Sequence, residues 1–268
     1  TDSEIIFNDE SCNSVVISSR HDTHCELFLK ALDHGKNIFL EKPLCINFEQ
    51  LKLIERKYEE FISKNSYFPV IMIGFNRRFS PLIKDIKDYI CNSNSPKSFI
   101  YTINAGKVDT DHWIQDPCIG GGRLIGEACH FLDLLRYLAN SSIKKMEVVS
   151  TQGINPTPDN FILQVEFDDR SIGSINYFSN GHKAFPKERL EVFCDGNIHR
   201  LDNFKKLKSW GPNRFNDKNL YRQDKGQYFC AKEYIKAIKD GLESPIKFNE
   251  ILEVQFWLLK ALERIKSS

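Results

Sequence analysis

The sequence predicts an α/β protein in two parts: a partial doubly wound parallel sheet, then an α+β domain with an open, mainly antiparallel sheet. Short apolar runs alternate with amphipathic helical segments over the first 95 residues. After that point, closely spaced strand-like runs with hairpin signals take over. We expect three units: residues 1–95, residues 96–247, and a C-terminal helix over 248–268 that packs back on the first unit.

Three apolar runs in the first unit are predicted strands, namely residues 15–17, 37–40 and 70–73. Strands this apolar are typical of a parallel sheet that is covered on both faces, as in half of a doubly wound fold.

Helix signals separate these strands. Asp22 is the predicted N-cap of the first helix, and Gly35 is placed to end it. Asn47, with Gln50 three residues later, resembles a capping box at the start of the second helix.

The second unit is expected to contain a strand over 97–104, a helix over 123–139 and an antiparallel sheet. Its sheet strands are predicted over 161–167, 172–178, 190–194 and 197–201. Asp195-Gly196 between the last two is a two-residue hairpin signal. Helices are predicted over 227–240 and 248–266.

Composition narrows the class of protein. Hydrophobic residues make up 41% and charged residues 27%, as in an ordinary globular protein, and no apolar run approaches the roughly 20 residues that span a bilayer. A net charge of +1 gives no reason to expect nucleic acid or an anionic membrane as partner. Eight cysteines without a C-x-x-C pair indicate reduced thiols, so we expect a cytoplasmic protein.

The chain begins at Thr1 rather than at Met and soon enters a strand-like run. We therefore expect that the beginning of the first unit is missing.

Polar residues follow the end of each predicted strand in the first unit. Ser18, Ser19, Arg20, His21 and His24 follow the first strand; Glu41 and Lys42 follow the second; and Asn76, Arg77 and Arg78 follow the third. Ligands of open parallel sheets bind beyond the carboxyl ends of the strands. Three such clusters, two of them basic, favour a site for an anionic or polyhydroxylated ligand, although loops are polar in general.

The predicted helix over 123–139 is apolar nearly all round and should be buried, yet Glu127, His130 and Asp133 lie along it. A buried ionisable group needs a partner. Gly120-Gly121-Gly122 before the helix would allow close approach of a ligand. A structural histidine, and a metal site that uses His112, Glu127 and His130, are the alternatives.

Two segments resemble the Gfo/Idh/MocA family of oxidoreductases. The first, over residues 15–44, contains G-K-N-I-F-L-E-K-P-L; the second, over 120–135, is G-G-G-R-L-I-G-E-A-C-H-F-L-D-L-L. The resemblance extends over essentially the whole chain. More narrowly, S-R-H-D-T-H, G-F-N-R-R-F-S-P and D-H-W-I-Q-D-P resemble a branch found in bacterial surface-polysaccharide gene clusters.

The resemblance implies hydride transfer between NAD or NADP and a carbinol carbon of a sugar, nucleotide sugar or cyclitol. Lys42 matches the lysine of E-K-P, and His130 matches the catalytic histidine, with Glu127 as a third catalytic candidate. Cofactor contacts are implied for Ser18, Ser19, Arg20, His24, Glu41 and Lys42. Substrate contacts are implied for Asn104, His112, Trp113, Arg123 and His130, and no metal is expected.

The sequence departs from the family pattern at three points. Gly126 stands where the family has Asp, with Glu127 beside it, and Arg20-His21 stands where the family has Pro-Asn. No G-x-G-x-x-G motif occurs in the chain. We therefore expect this chain to be an incomplete form that binds a dinucleotide weakly.

Two further readings remain beside the dehydrogenase. One is a non-catalytic sugar- or dinucleotide-binding protein of the same fold, with a regulatory or scaffold role. The other is a metal-assisted isomerase or lyase built on Glu127 and His130.

The open sheet also predicts assembly. Alternating residues of 161–167 and 172–178 are apolar enough for the free face of the sheet to meet a second copy. We expect a homodimer or homotetramer.

Overall fold

In the computed structural model of the chain, residues 4–91, 93–151, 157–212 and 214–267 are described. The first part contains a parallel sheet in the order β1-β2-β3. Its strands are β1 (Ser14–Ile17), β2 (Asn37–Leu40) and β3 (Ile71–Ile73), and its helices are α1 (Glu4–Asn8), α2 (His24–Asp33), α3 (Phe48–Lys64) and α4 (Pro81–Ile90). The α/β class and the three predicted strands are confirmed.

The N-cap predicted for α3 is confirmed, and the N-cap predicted for α2 is wrong. The Asn47 side chain accepts a hydrogen bond from the backbone N–H of Gln50 (2.9 Å), as predicted, while the Gln50 side chain accepts from the N–H of Ile46 (3.0 Å). Asp22 as N-cap was wrong, because a 3₁₀ turn over His21–Thr23 precedes α2 and places Thr23 at the cap without a side-chain bond.

The second part is a mixed, mainly antiparallel sheet of eight strands in the order β11-β10-β9-β8-β4-β7-β6-β5. The strands are β4 (Ser98–Asn104), β5 (Ile143–Ser150), β6 (Phe161–Phe167), β7 (Ile172–Phe178), β8 (Glu188–Cys194), β9 (Asn197–Asp202), β10 (Lys206–Trp210) and β11 (Lys218–Asn219). β4 pairs in parallel with β7 and antiparallel with β8. Asp195 and Gly196 both have positive φ, as the predicted two-residue hairpin requires.

The helix predicted over 123–139 is broken at Glu127. The structure has a short α5 (Gly122–Gly126) and then α6 (Ala128–Ala139), and Glu127 between them has φ −120° and ψ −42°. The apolar run continues through the break, so periodicity alone could not reveal it. The consequence is that Glu127 leaves the helical register in which it was expected to line up with His130 and Asp133.

Two helices complete the chain, α7 (Gln227–Asp240) and α8 (Phe248–Ser267). α8 packs against α3 and β3 of the first part and also against α5, α6 and β5 of the second. Phe248 stacks on Phe28, and Gln255 donates a hydrogen bond to the carbonyl of Cys45 (2.9 Å). The C-terminal helix therefore joins both parts into one hydrophobic core.

A 3₁₀ turn after β3, Asn76–Phe79, fixes the two parts to each other through buried arginines. Arg77 donates two hydrogen bonds to the Glu188 carboxylate (2.8 and 2.9 Å) at the start of β8. Arg78 pairs in the same bidentate manner with Asp133 of α6. All four side chains are at most 6% exposed. The first part thus holds both a strand and a helix of the second by charge-assisted bonds in a dry environment.

Within the described residues, none of the helices combines the length and the apolar character that crossing a membrane requires.

Replacement of Arg78 by Met should lower the free energy of unfolding by about 3–5 kcal/mol, because Asp133 would remain buried without its cation. The double variant Arg78→Met/Asp133→Leu should recover most of this loss, since it removes the unpaired charge. Urea denaturation of the three proteins measures both effects. Lys144→Met, which breaks an exposed pair with Glu166, serves as the control with little expected change. A loss below about 1 kcal/mol for Arg78→Met would contradict the assigned role.

Candidate active site

The loop after β1 lies against the segment that precedes α5. The backbone N–H of Asp22 donates to the carbonyl of Ile119 (3.0 Å), and the ring of His21 bonds the carbonyl of Gly120 through Nδ1 (2.8 Å). Ser18, Ser19 and Arg20 are exposed on this loop. The end of the parallel sheet and the start of the buried helix are thereby brought together.

His24 is fully buried beneath this loop rather than exposed to a ligand. Its Nδ1 lies 2.7 Å from the carbonyl oxygen of Pro43, and its Nε2 lies 3.2 Å from that of Ser19. The histidine therefore connects the loop after β1 with the E-K-P segment after β2.

Glu41 and Lys42 follow β2 directly. The Glu41 carboxylate packs on Gly74 so closely that a Cβ at that glycine would lie 2.9 Å from Oε2. The Lys42 ammonium donates to the carbonyl of Gly126 (2.8 Å) and to Oε1 of Glu127 (3.3 Å). The lysine that follows the parallel strand thus reaches the break between α5 and α6, and the Lys42–Pro43 peptide bond is cis.

Glu127 is held ionised by its surroundings. Burial raises the pKa of this carboxyl, but the positive charges of Lys42, Lys187 and Arg77 outweigh burial and bring the pKa below its ordinary value. The carboxylate is therefore a stable counter-ion for the Lys42 ammonium. This contact depends on the helix break, which turns the Glu127 side chain toward the lysine.

His130 lies in the first turn of α6 and is 7% exposed. Neither of its ring nitrogens makes a hydrogen bond within the described residues, and Nδ1 is buried. Burial, together with the charges of Arg77 and Lys42, holds the pKa of His130 well below its ordinary value. The imidazole is therefore neutral at neutral pH.

His21 was expected in the polar cluster after β1 but was given no role in cofactor or substrate binding. It occupies the space that Gly126 leaves. A Cβ at Gly126 would lie 2.8 Å from Cε1 of His21. The Trp113 ring packs edge-on against His21 at 4.8 Å between centroids, and burial lowers the pKa of His21 to about 4. Two of the departures from the family pattern, at positions 21 and 126, are therefore in contact. The occurrence of both departures in one sequence was the signal that could have indicated this contact.

The space next to Gly120, Gly121 and Gly122, at the start of α5, is occupied by the protein itself. A Cβ at Gly120 would lie 2.3 Å from the Cα of Ile114, and one at Gly122 would lie 2.5 Å from the Cβ of Thr157. Gly121 and Gly122 also have positive φ. These residues thus allow tight packing of the chain before α5, whereas the sequence suggested close approach of a ligand.

Besides His130, four residues were expected to face substrate, and they occupy different surroundings. Trp113 lies near the loop after β1, with Arg20 over its ring at 5.9 Å. His112 is exposed and accepts a bond from the N–H of Ile114 (3.3 Å). The Asn104 amide donates to the carbonyls of His182 (2.9 Å) and Phe185 (3.2 Å).

Arg123, the remaining residue expected to face substrate, is buried. It donates to the carbonyl of Gly106 (2.7 Å) and lies over the ring of Tyr177, while its Nε has no partner among the described residues.

The sequence suggested that the basic cluster after β3 binds a ligand, and this expectation was wrong for its two arginines. Arg77 and Arg78 both form buried ion pairs within the protein. Asp133 belongs to one of these pairs and not to the site. The part of the chain that the structure describes brings no three His, Cys, Asp or Glu side chains together in a group able to hold a metal ion. The structure therefore gives no support to the metal-assisted reading.

Comparison with known proteins agrees with this arrangement. Residues 1–60 match the model of an oxidoreductase family with an NAD-binding Rossmann fold, and residues 97–198 match the GFO/IDH/MocA C-terminal domain. The two matched regions contain Lys42 and His130 respectively.

Individual relatives are distant. The chain is 27% identical over 179 residues to scyllo-inositol 2-dehydrogenase (NAD(+)) of Bacillus subtilis, a match that covers 63% of this chain and 49% of that protein. It is 23% identical to myo-inositol 2-dehydrogenase of Thermotoga maritima over 90% of this chain and 71% of that one. The matched segment thus spans about half the length of the Bacillus protein.

Among solved structures, levoglucosan dehydrogenase in complex with NADH and levoglucosan superposes with a TM-score of 0.83 at 20% identity. The superposition covers all of this chain and 82% of that one. This similarity establishes the fold.

Gly126→Ala should lower the free energy of unfolding by about 1–3 kcal/mol, because the new methyl group would meet the His21 ring. In a His21→Ala background the same substitution should be neutral or stabilising by up to about 1 kcal/mol, since Ala favours a helix over Gly. A double-mutant cycle by urea denaturation measures this change of sign. Equal effects of Gly126→Ala in both backgrounds would show that the two residues are independent.

Proposed function

The chain belongs to the GFO/IDH/MocA oxidoreductase family, and from this we propose that the complete protein transfers hydride between a nicotinamide dinucleotide and a carbinol carbon of a sugar, nucleotide sugar or cyclitol. The observation that carries the proposal is the contact between Lys42 and Glu127 at the break that precedes α6, the helix that carries His130 in its first turn. The lysine held by this carboxylate is near enough for its charge to act on His130, whose Nδ1 is buried without a partner among the described residues. In the dehydrogenation of an alcohol, such an ammonium can stabilise the developing alkoxide and such an imidazole can accept the hydroxyl proton.

The residues present fit a nicotinamide dinucleotide. Ser18, Ser19 and Arg20 are exposed beyond β1, and Glu41 follows β2 at the same sheet edge, where a ribose hydroxyl would find an acceptor. Arg20, His24 and Lys42 complete the set that we propose for cofactor binding. His24 is buried and contributes by connecting the loop after β1 to the E-K-P segment. A bound nicotinamide supplies the hydride acceptor in one direction and the donor in the other.

Side chains of the protein itself would stabilise the charge on the substrate oxygen and transfer the hydroxyl proton. The Lys42 ammonium, held by Glu127 and by the carbonyl of Gly126, would stabilise negative charge that develops on the substrate oxygen. His130 would accept the hydroxyl proton during oxidation and return it during reduction. Its lowered pKa keeps it in the accepting form at neutral pH. We propose Lys42 and His130 as catalytic residues, and Glu127 as the residue that positions Lys42.

We also propose three residues that contact the substrate, namely His112, Trp113 and Arg123. Trp113 lies beside His21. The named relatives act on inositols and levoglucosan, which supports a polyhydroxylated substrate.

All eight cysteines are free thiols, which supports location in the cytoplasm.

Self-association through the eight-stranded sheet is a further part of the proposal. The face opposite the helices carries exposed apolar residues, among them Ile100 (39% exposed) and Ile172 (54%), next to the polar residues Gln164 and Ser174. This face is less apolar than the sequence suggested. We propose that it nevertheless pairs with a second copy.

Lys42→Met and His130→Asn should each lower kcat by about a hundred- to ten-thousand-fold, because each removes a group that acts on the reacting hydroxyl. The assay follows nicotinamide absorbance with the complete gene product, NAD⁺ or NADP⁺ and a panel of polyols and nucleotide sugars. Lys57→Met, an exposed lysine of α3, is the matched control and should retain full activity. Tight nicotinamide binding without turnover on any member of the panel would favour the non-catalytic reading instead.

Sedimentation velocity at micromolar concentration should show a dimer or tetramer of the complete protein. Ile172→Lys places a charge on the open face of the sheet and should shift the distribution toward monomer. The control is Ile235→Lys on the exposed side of α7, which should not change assembly. A purely monomeric wild-type protein would refute the proposed interface.

A further inference from the structure

A groove lies at one end of the eight-stranded sheet, outside the Lys42–His130 centre. It has a volume of about 840 Å³ and is formed by the chain after β4, the segment before β8 and the turn between β9 and β10. β4 and β8 are antiparallel, and so are β8 and β9, so these three segments meet at the same sheet end. A volume of this size is typical of a cleft for a small molecule.

The groove is strongly basic. Six cationic side chains line it: Lys107, Lys183, Lys187, Arg189, Lys205 and Lys206. The one carboxylate of the lining, Asp202, is already paired with Arg189 (2.8 Å) and Arg200 (3.1 Å). The five lysines form no salt bridge with any described residue. Because the whole chain carries a net charge of only +1, this is a local excess of positive charge.

An aromatic ring lies among these charges. Phe185 lines the groove and is 50% exposed, and the Arg189 guanidinium lies 5.8 Å from its ring centre. The loop that carries Phe185 is fixed by the two hydrogen bonds from Asn104. An exposed, anchored aromatic ring beside cations is a combination that suits a nucleobase next to phosphates.

The groove is close to the proposed reaction centre. The charge of Lys187 acts on both Glu127 and His130, lowering the pKa of each. The next residue, Glu188, forms the buried pair with Arg77. A ligand that fills the groove would therefore reach the site from the side of Lys187.

We propose that the groove binds the diphosphate and nucleoside of a nucleotide-linked sugar, with the sugar extending to Lys42 and His130. The proposal rests on the dehydrogenase function above and specifies its substrate class. Five unpaired lysines on several sides of the groove exceed what a single monophosphate can engage, whereas a diphosphate spans them. A neutral polyol would leave this charge uncompensated.

Titration calorimetry of the protein with UDP, uridine and glucose 1-phosphate tests the proposal without nicotinamide. UDP should bind, and uridine and glucose 1-phosphate should each bind at least tenfold more weakly, since each lacks part of the ligand. Lys205→Gln/Lys206→Gln should weaken UDP binding at least tenfold. Lys236→Gln/Lys239→Gln, the same change of charge on the exposed face of α7, should leave it unchanged.

Phe185→Ala should weaken UDP more than glucose 1-phosphate, because only UDP carries a base to stack on the ring. No binding of UDP at millimolar concentration to the folded protein would overturn the proposal, and so would equal UDP affinity in wild type and Lys205→Gln/Lys206→Gln. Hydride transfer to neutral polyols without UDP binding would reject this substrate class and keep the dehydrogenase. UDP binding with no turnover of any nucleotide sugar or polyol would reject the dehydrogenase and keep the groove.

Discussion

The two buried arginine pairs after β3 are the constraint on which the rest of the structure depends. Arg77 fixes the start of β8, and Arg78 fixes α6 one turn beyond His130. Desolvated charges tolerate little displacement, because a broken pair leaves an uncompensated ion in the core. The turn after β3 and the helix that carries His130 are therefore held in one geometry by buried ion pairs.

Much of the fold could be predicted because its signals are local. Apolar runs between polar turns predicted the three parallel strands, and Asp195-Gly196 predicted the hairpin that the structure contains. Lys42 and His130 were singled out from a sequence motif and from a titratable group on an apolar helix. Both lie next to the break at Glu127 in the folded chain.

The features that sequence reasoning missed are all set by tertiary contacts. Arg77 and Arg78 looked like ligand-binding residues, since nothing local indicates that Glu188 and Asp133 lie opposite them. The break before α6 leaves the apolar pattern intact. The contact between His21 and position 126 joins residues more than a hundred positions apart, so only the fold reveals that the two departures compensate each other in space.

We propose that this fold places a nicotinamide dinucleotide beside Lys42 at the end of the parallel sheet, and calorimetric titration of the complete protein with NAD⁺, NADH, NADP⁺ and NADPH tests this placement. We expect saturable binding of one dinucleotide pair, with one site per chain, and weaker binding by Glu41→Ala. Absence of heat of binding for all four dinucleotides, in a protein shown to be folded, would contradict it.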